Sequence, residues 1–347
     1  MPHPVLLLGA VRRAAYGEFA LARIAAAHPV VLAGAAPPGW ALPYLAGHIA
    51  ADPGHGPAAA EAVARHAARY GICGVLTWTR GHLPAAARIA ARLGLPRIPE
   101  ETARACADPA ALRSLLARRA IAPAGRDDTE GPLVSAETVV LDDEVRIAAL
   151  TRTTPGPPPA RQPLRHVVHA HDGLLHNPFL RHTVERTVRA LGLAHTVVHI
   201  GLRLTARGPR VTDVVPHLPG DLIPLLVERA TGVDLARAAA ALATGGLPAV
   251  APTRQRAAAI QFAYPAATGR LTRLDLDPAV AHEPSAERMV LTRQAGDEVT
   301  AAWHAGPADR LAHWVAEGED PPECARALQR MANYLDVAVG SLRPQAA

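Results

Sequence analysis

Apolar and polar positions alternate between two periods along the first hundred residues. Residues 4–9 (PVLLLG) form a short continuous apolar run ending on glycine, the pattern of a buried strand. Residues 18–27 (EFALARIAAA) return to a spacing of three and four, that of a helix, and His28-Pro29 ends it. Residues 30–33 and 74–78 (GVLTW) read as further strands. Residues 58–70 and 83–93 read as amphipathic helices, the first with Pro57 just ahead of it and the second closed by Gly94. Strand and helix in alternation predict an open parallel sheet covered on both faces.

The pattern changes beyond residue 95. Asp108-Pro109 supplies an N-cap and a first helical residue for a helix through Leu112, Leu115 and Leu116 to Arg119, and residues 120–128 connect onward. Period-two alternation over 135–141 and 144–150, with Asp142-Asp143 between, predicts a hairpin. The proline-rich residues 154–163 predict a loop. Residues 165–170 are strand-like, and 178–191 are helical up to Gly192. Residues 196–204 and 210–215 form a second predicted hairpin, followed by helices over 223–230 and 235–243. Between 253 and 340 the pattern predicts strands over 258–262, 271–275 and 289–292, then two helices, then a strand over 336–339.

The first turn, GAVRRA, has the single Gly9 where a dinucleotide-binding loop needs three glycines, so the backbone has no close approach to a pyrophosphate. The stretch free of Asp, Glu and Arg from 24 to 51 is broken by Pro29, Pro37, Pro38, Pro43, His28 and His48 and predicts no membrane span. The opening MPHPVLLLGAVRR lacks the tripartite pattern of a secretory signal, which predicts a cytoplasmic protein. Cys73, Cys106 and Cys324 have no CxxC spacing, so neither a disulfide framework nor a zinc knuckle is indicated. All 36 Lys+Arg residues are arginine, giving a formal net charge of +5. They are scattered singly along helices rather than in a stripe, against nucleic-acid binding.

The stretch AHTVVHIGLRLTARGPRVTDVVPHLPGDLIPLLVERATGVDL, residues 194–235, resembles the ATP-grasp superfamily, and within it the carboxylate-amine ligases similar to bacterial L-amino acid ligases. Residues 94–125, 129–151 and 296–328 carry weaker matches. The resemblance implies a Rossmann-like preATP-grasp domain (1–95), a linking helix region (96–125), a truncated ATP-grasp core (126–250) and a small C-terminal α+β domain (251–347). It also implies a chemistry in which ATP phosphorylates a carboxylate and an amine attacks the acyl phosphate.

At the positions that carry that chemistry the sequence departs from the family. Pro109 stands where a phosphate-binding lysine follows the Asp of the linking helix. Only residues 124–129 separate Pro123 from Glu130, where the family has a whole ATP-covering subdomain with a second lysine and a glycine-rich loop. Gly201 stands for the first metal-binding Glu, Asp213 for the second, Val215 for the Asn ligand, His217 for the arginine and Pro219 for a glycine. Mg²⁺ takes a near-octahedral oxygen shell, which one carboxylate does not supply.

Arg104, Arg113, Arg118 and Arg119 lie near the linking helix; they substitute for the lysines or, as the composition favours, occupy a solvated helix face. His166, His169, His171 and His176, with His195, His199 and His217, form a second candidate cluster. Strand spacing puts His169 and His171 on one face, and with Asp213 they make a possible Zn²⁺ set. Cys106 is at the N-terminal side of a helix, yet its apolar neighbours favour a buried structural thiol. Ser135 lacks evident triad partners. Trp40, Tyr44 and Trp78 line a small pocket or fill the core, the latter being favoured.

The sequence therefore predicts a non-catalytic homologue, with no cofactor, acting on a protein partner or an amino-acid-like ligand. Its remnant cleft is His199, Asp213 and His217. A homo-oligomer or a heteromeric complex with a pathway enzyme is expected, since a lost lid exposes an apolar face. The alternative is an active ATP- and Mg²⁺-dependent ligase, or an enzyme reusing the cleft for metal-dependent or acid–base chemistry.

Overall fold

A computed structural model describes residues 3–9, 13–125, 128 and 130–341. Most of the turn after Gly9, and parts of 126–129, lie outside the described residues. In chain order the first elements are β1 (Val5–Leu8), α1 (Ala14–Ala25), β2 (Val30–Gly34), β3 (Leu45–Ala50), α2 (Pro57–Ala67), β4 (Gly74–Thr77), α3 (Leu83–Leu93), α4 (Glu100–Ala107) and α5 (Pro109–Arg118). Then come β5 (Leu133–Leu141), β6 (Glu144–Pro155), β7 (Pro163–His169), α6 (Pro178–Ala190), β8 (Thr196–Thr205), β9 (Gly208–Val215), α7 (Ile223–Thr231) and α8 (Leu235–Ala243). The remainder holds β10 (Ala257–Ala263), β11 (Gly269–Leu276), β12 (Ala286–Leu291), β13 (Glu298–Val299), β14 (Ala312–Gly318), α9 (Pro321–Ala332) and β15 (Leu335–Gly340). Mixed α/β architecture, with one parallel sheet and antiparallel sheets after it, agrees with the sequence reading.

The chain divides into two compact units, residues 1–150, 172–228 and 232–253 in one and 151–171, 229–231 and 254–347 in the other. The first opens with a parallel sheet of order β3-β2-β1-β4. Leu6, Leu8, Val31 and Ala33 pack on one face against Ala60, Val63 and Ala67 of α2 and Ile89 of α3. Leu7, Val30 and Leu32 are as fully buried, so apolar side chains leave both faces, as a covered parallel sheet requires. Local chemistry sets the helix ends. Gly94 takes a left-handed φ of 69° to close α3. The Asp108 carboxylate accepts from the backbone N–H of Ala110 at 2.7 Å and Ala111 at 2.8 Å, capping α5.

The same unit holds an antiparallel sheet of order β6-β5-β8-β9. Val134, Ala136 and Val140 of β5 and Val198, Ile200 and Leu202 of β8 bury one face with Leu180, Val184 and Val188 of α6. Residues 119–132, between α5 and β5, hold no helix or strand among those described. In the second unit the order is β12-β14-β10-β7-β6, β6 serving this ladder from Thr151 onward, and a separate sheet runs β13-β11-β15.

One strand is added to the sequence reading and one expectation is corrected. The added strand is β3, where Gly47 makes room for the Tyr70 ring, 2.8 Å from where a Cβ would sit. The two helices expected ahead of the last strand are one, α9, because residues 312–318 (AHWVAEG) form β14, a strand buried along most of its length. A short apolar run of that kind has no periodicity to separate strand from helix. Cys106 sits in the last turn of α4, just ahead of the Asp108 cap of α5.

Candidate functional site

Strand register assembles the site. On β5 and β8, Glu137 lies opposite His199 and Ser135 opposite Gly201. On β8 and β9, Gly201 lies opposite Asp213 and His199 opposite Val215. Opposed residues share a face and alternate residues share a face, so Ser135, Glu137, His199 and Asp213 all project from the side away from the apolar core. An irregularity between Gly201 and Leu202 shifts the register, pairing Leu202 with Val211 and leaving Thr212 extra. That bulge lets Val211 and Val214 both reach the core while Asp213 stays on the polar face.

The Glu137 side chain is fully buried. Its Oε1 accepts the Ser135 hydroxyl at 2.8 Å, and His199 Nδ1 donates to Oε2 at 3.0 Å and to Oε1 at 3.2 Å. Burial alone would lower the His199 pKa; the Glu137 charge and hydrogen bond, aided by Asp213 and Asp221, outweigh it and raise the pKa above the ordinary imidazole value.

Asp213 is engaged on both oxygens. Oδ1 accepts the Val214 N–H at 2.9 Å, and Oδ2 pairs with the Arg80 guanidinium. Arg80 comes from the 3-10 helix Arg80–His82, just beyond the C-terminal end of β4, and its Nη1 donates to the Cys106 carbonyl at 3.1 Å. The carboxyl ends of parallel strands are where open sheets place their ligand-binding groups. Cys106 itself is fully buried, and burial, followed by the Asp213 charge, pushes its thiol up to about 12, so it is inert as a nucleophile.

His217, just past β9, donates its Nδ1–H to the Leu218 carbonyl at 2.7 Å. Burial lowers its pKa to about 4; the bond to Leu218 partly offsets this, and Arg80 and His199 add to the lowering. The ring is therefore neutral at pH 7, with Nε2 as a bare acceptor.

The structure thus brings His199, Asp213 and His217 into one unit and adds Glu137 and Arg80, which sequence reasoning missed. A charged residue in the alternating strand SAETVV was the available signal for Glu137. Arg80 left none, since its partner is distant in sequence. Ser135 bonds to Glu137 rather than to an imidazole, so no nucleophilic triad forms. His169 and His171 meet edge to face with ring centroids 5.7 Å apart, but β7 ends at His169, and the period of two does not extend to His171. Among the described residues no three His, Cys, Asp or Glu side chains group so as to hold a metal ion. No helix among them is long and apolar enough to cross a membrane. Trp78 Nε1 donates to the Gly9 carbonyl at 3.1 Å, tying β4 to β1.

Residues 261–340 match the L-amino acid ligase C-terminal domain 2 family. A comparison with curated proteins gives no significant match. Solved structures of similar fold include an L-amino acid ligase from Bacillus licheniformis, with TM-score 0.81 and 16% identity over 98% of this chain and 99% of that one. Phosphoribosylglycinamide synthetase from Anaerococcus prevotii gives a TM-score of 0.78 at 15% identity, over 98% and 100%. The biotin carboxylase β-γ-ATP complex from Campylobacter jejuni gives 0.65 at 11%, over 98% and 93%. The domain match and the fold shared across 98% of the chain relate this protein to the ATP-grasp superfamily.

Proposed function

We propose that this chain is a non-catalytic ATP-grasp homologue of the cytoplasm that binds neither ATP nor Mg²⁺. It acts by holding a protein partner or a small amino-acid-like ligand at the remnant site of His199, Asp213 and His217. The observation that carries the reading is the Arg80–Asp213 pair. By the sequence resemblance Asp213 stands for a family metal ligand, and its two oxygens already take a guanidinium and a backbone N–H. Glu137 is used in the same way by Ser135 and His199. Mg²⁺ binds through oxygen ligands in near-octahedral array; two carboxylates already engaged, one by a guanidinium and the other by an imidazole and a hydroxyl, do not fit that demand.

Two further facts support it. A lysine-free chain has no ammonium group for a triphosphate, and residues 119–132 leave little chain for an ATP-covering subdomain. Loss of such a cover favours an oligomer or a complex with an enzyme of the same pathway.

Thermal denaturation with 5 mM MgATP, with ZnCl₂ and with amino acids tests the reading. A nucleotide present at about one hundred times its Kd adds about 2.7 kcal/mol to stability, several degrees in Tm. No shift with MgATP is expected. A saturable shift with a calorimetric Kd below 1 mM would overturn the proposal in favour of an active ligase, and a stoichiometric shift with zinc would assign the histidines a metal.

A further inference from the structure

A cavity of about 70 Å³ lies inside the first unit, walled by Leu7, Ile24, Leu83 and Val197 and bordered by His195, His217 and the exposed Arg97. One water needs about 10–15 Å³ of such space, and a cavity of about 150 Å³ takes benzene; this one suits about three to five heavy atoms. Its walls are apolar, but two of its residues each bury a ring nitrogen without a partner, His217 Nε2 and His195 Nδ1.

The His217 nitrogen is an acceptor. His217 gives its Nδ1 proton to the Leu218 carbonyl at 2.7 Å, and a neutral ring then carries only a lone pair on Nε2. His195 Nε2 lies 3.0 Å from an Asp142 carboxylate oxygen. A buried acceptor without a donor costs free energy, so native structures rarely keep one unmatched. The Arg97 guanidinium disfavours a cationic occupant.

We infer that this cavity is a binding site for a small neutral hydrogen-bond donor, a short alcohol or primary amide, whose O–H or N–H is accepted by His217 Nε2. The inference does not rest on the non-catalytic reading and holds whichever way the nucleotide experiment falls.

Two isomers provide the test, because propanamide and N,N-dimethylformamide share atoms and size while only propanamide has an N–H donor. The full chain is titrated with each while the imidazole ¹⁵N resonances are followed. Propanamide is expected to bind saturably, about tenfold tighter than its isomer, with the largest shift at His217 Nε2. Ala239→Leu, which fills the cavity from α8, is expected to abolish binding, and His217→Phe to erase the preference between isomers. Equal binding of the two isomers, binding without movement of the His217 resonance, or a crystal soaked in propanamide that shows only ordered water would each overturn the inference. If His217→Phe does not fold, the comparison of isomers on the wild-type chain still decides.

Discussion

Acidification has a sharp consequence for His217. Its pKa stands at about 4 in the folded chain against about 6.5 unfolded. A base whose folded pKa is depressed favours the folded state while both states are neutral, and that stability drains away as pH falls through 6.5 toward 4. At pH 7 neither form binds much proton. At pH 4 the unfolded ring is fully protonated and the folded ring half so, which removes about 3 kcal/mol. His217→Phe keeps a flat ring in place and deletes the titration. Urea unfolding of both proteins at pH 7, 6, 5 and 4 gives the assay, because carboxylates that also titrate there are common to both and cancel in the difference. The gap between wild type and variant is expected to close by about 3 kcal/mol over that range. Parallel curves, agreeing within 1 kcal/mol, would refute the picture of a neutral ring held away from water, and with it the tautomer that leaves Nε2 bare.

His199 carries the opposite sign. Its folded pKa is raised, so its contribution is fully present below the unfolded value and lost as pH rises through the folded one; Glu137→Gln should bring its NMR titration below the ordinary imidazole range and remove that loss. Asp213→Asn breaks a pair whose side chains are 29% and 35% exposed, for which about 1 kcal/mol is expected in urea; a loss above 3 kcal/mol would mean a site far drier than its exposure implies. Gly131, at φ 99°, has no room for a side chain, since a Cβ would fall on the Leu204 carbonyl oxygen. Gly131→Ala is expected to cost about 2 kcal/mol or more, read from the Tm. In the folded protein Cys73 alone should react quickly with a thiol reagent at pH 8, because Cys106 and Cys324 are buried and their thiols raised to about 12; two or more fast thiols would contradict their burial.

Elements whose pattern is local were readable from the sequence. α3 and α8 run as the spacing predicts, α3 with its closing Gly94. The two hairpins of the first unit were readable because each turn separates two alternating runs. β14 was not, since strand or helix there is decided by its pairing with β10 and β12 and not by any period within seven residues. The site divides along the same line. His199, Asp213 and His217 stand out as departures within one recognisable stretch. Glu137 is the direct cross-strand neighbour of His199, and only strand register reveals that two residues 62 positions apart close into this pair. Arg80 reaches Asp213 across 133 residues, and no spacing rule connects them.

That division bears on how a site of this kind loses or changes its work. On the reading proposed above, in which Gly201 stands for a family metal ligand, a remaining carboxylate needs a new partner, since an unpaired acid in a shielded site is costly. Arg80 pairs with Asp213 and His199 hydrogen-bonds to Glu137, so both acids of the polar face are already engaged within the chain. On that reading a metal site would require more than Gly201→Glu. A Cβ at Gly201 would lie 2.6 Å from the Thr212 hydroxyl, the residue left extra by the bulge that keeps Asp213 on the polar face, and a new carboxylate would compete with Asp213 for Arg80 before any metal arrived. Gly201→Glu alone is therefore expected to confer no Mg²⁺-dependent rise in Tm, whereas Gly201→Glu combined with Arg80→Ala frees both acids and is expected to give one. A Mg²⁺ response from the single variant would show that the Arg80–Asp213 pair is not what bars the ion.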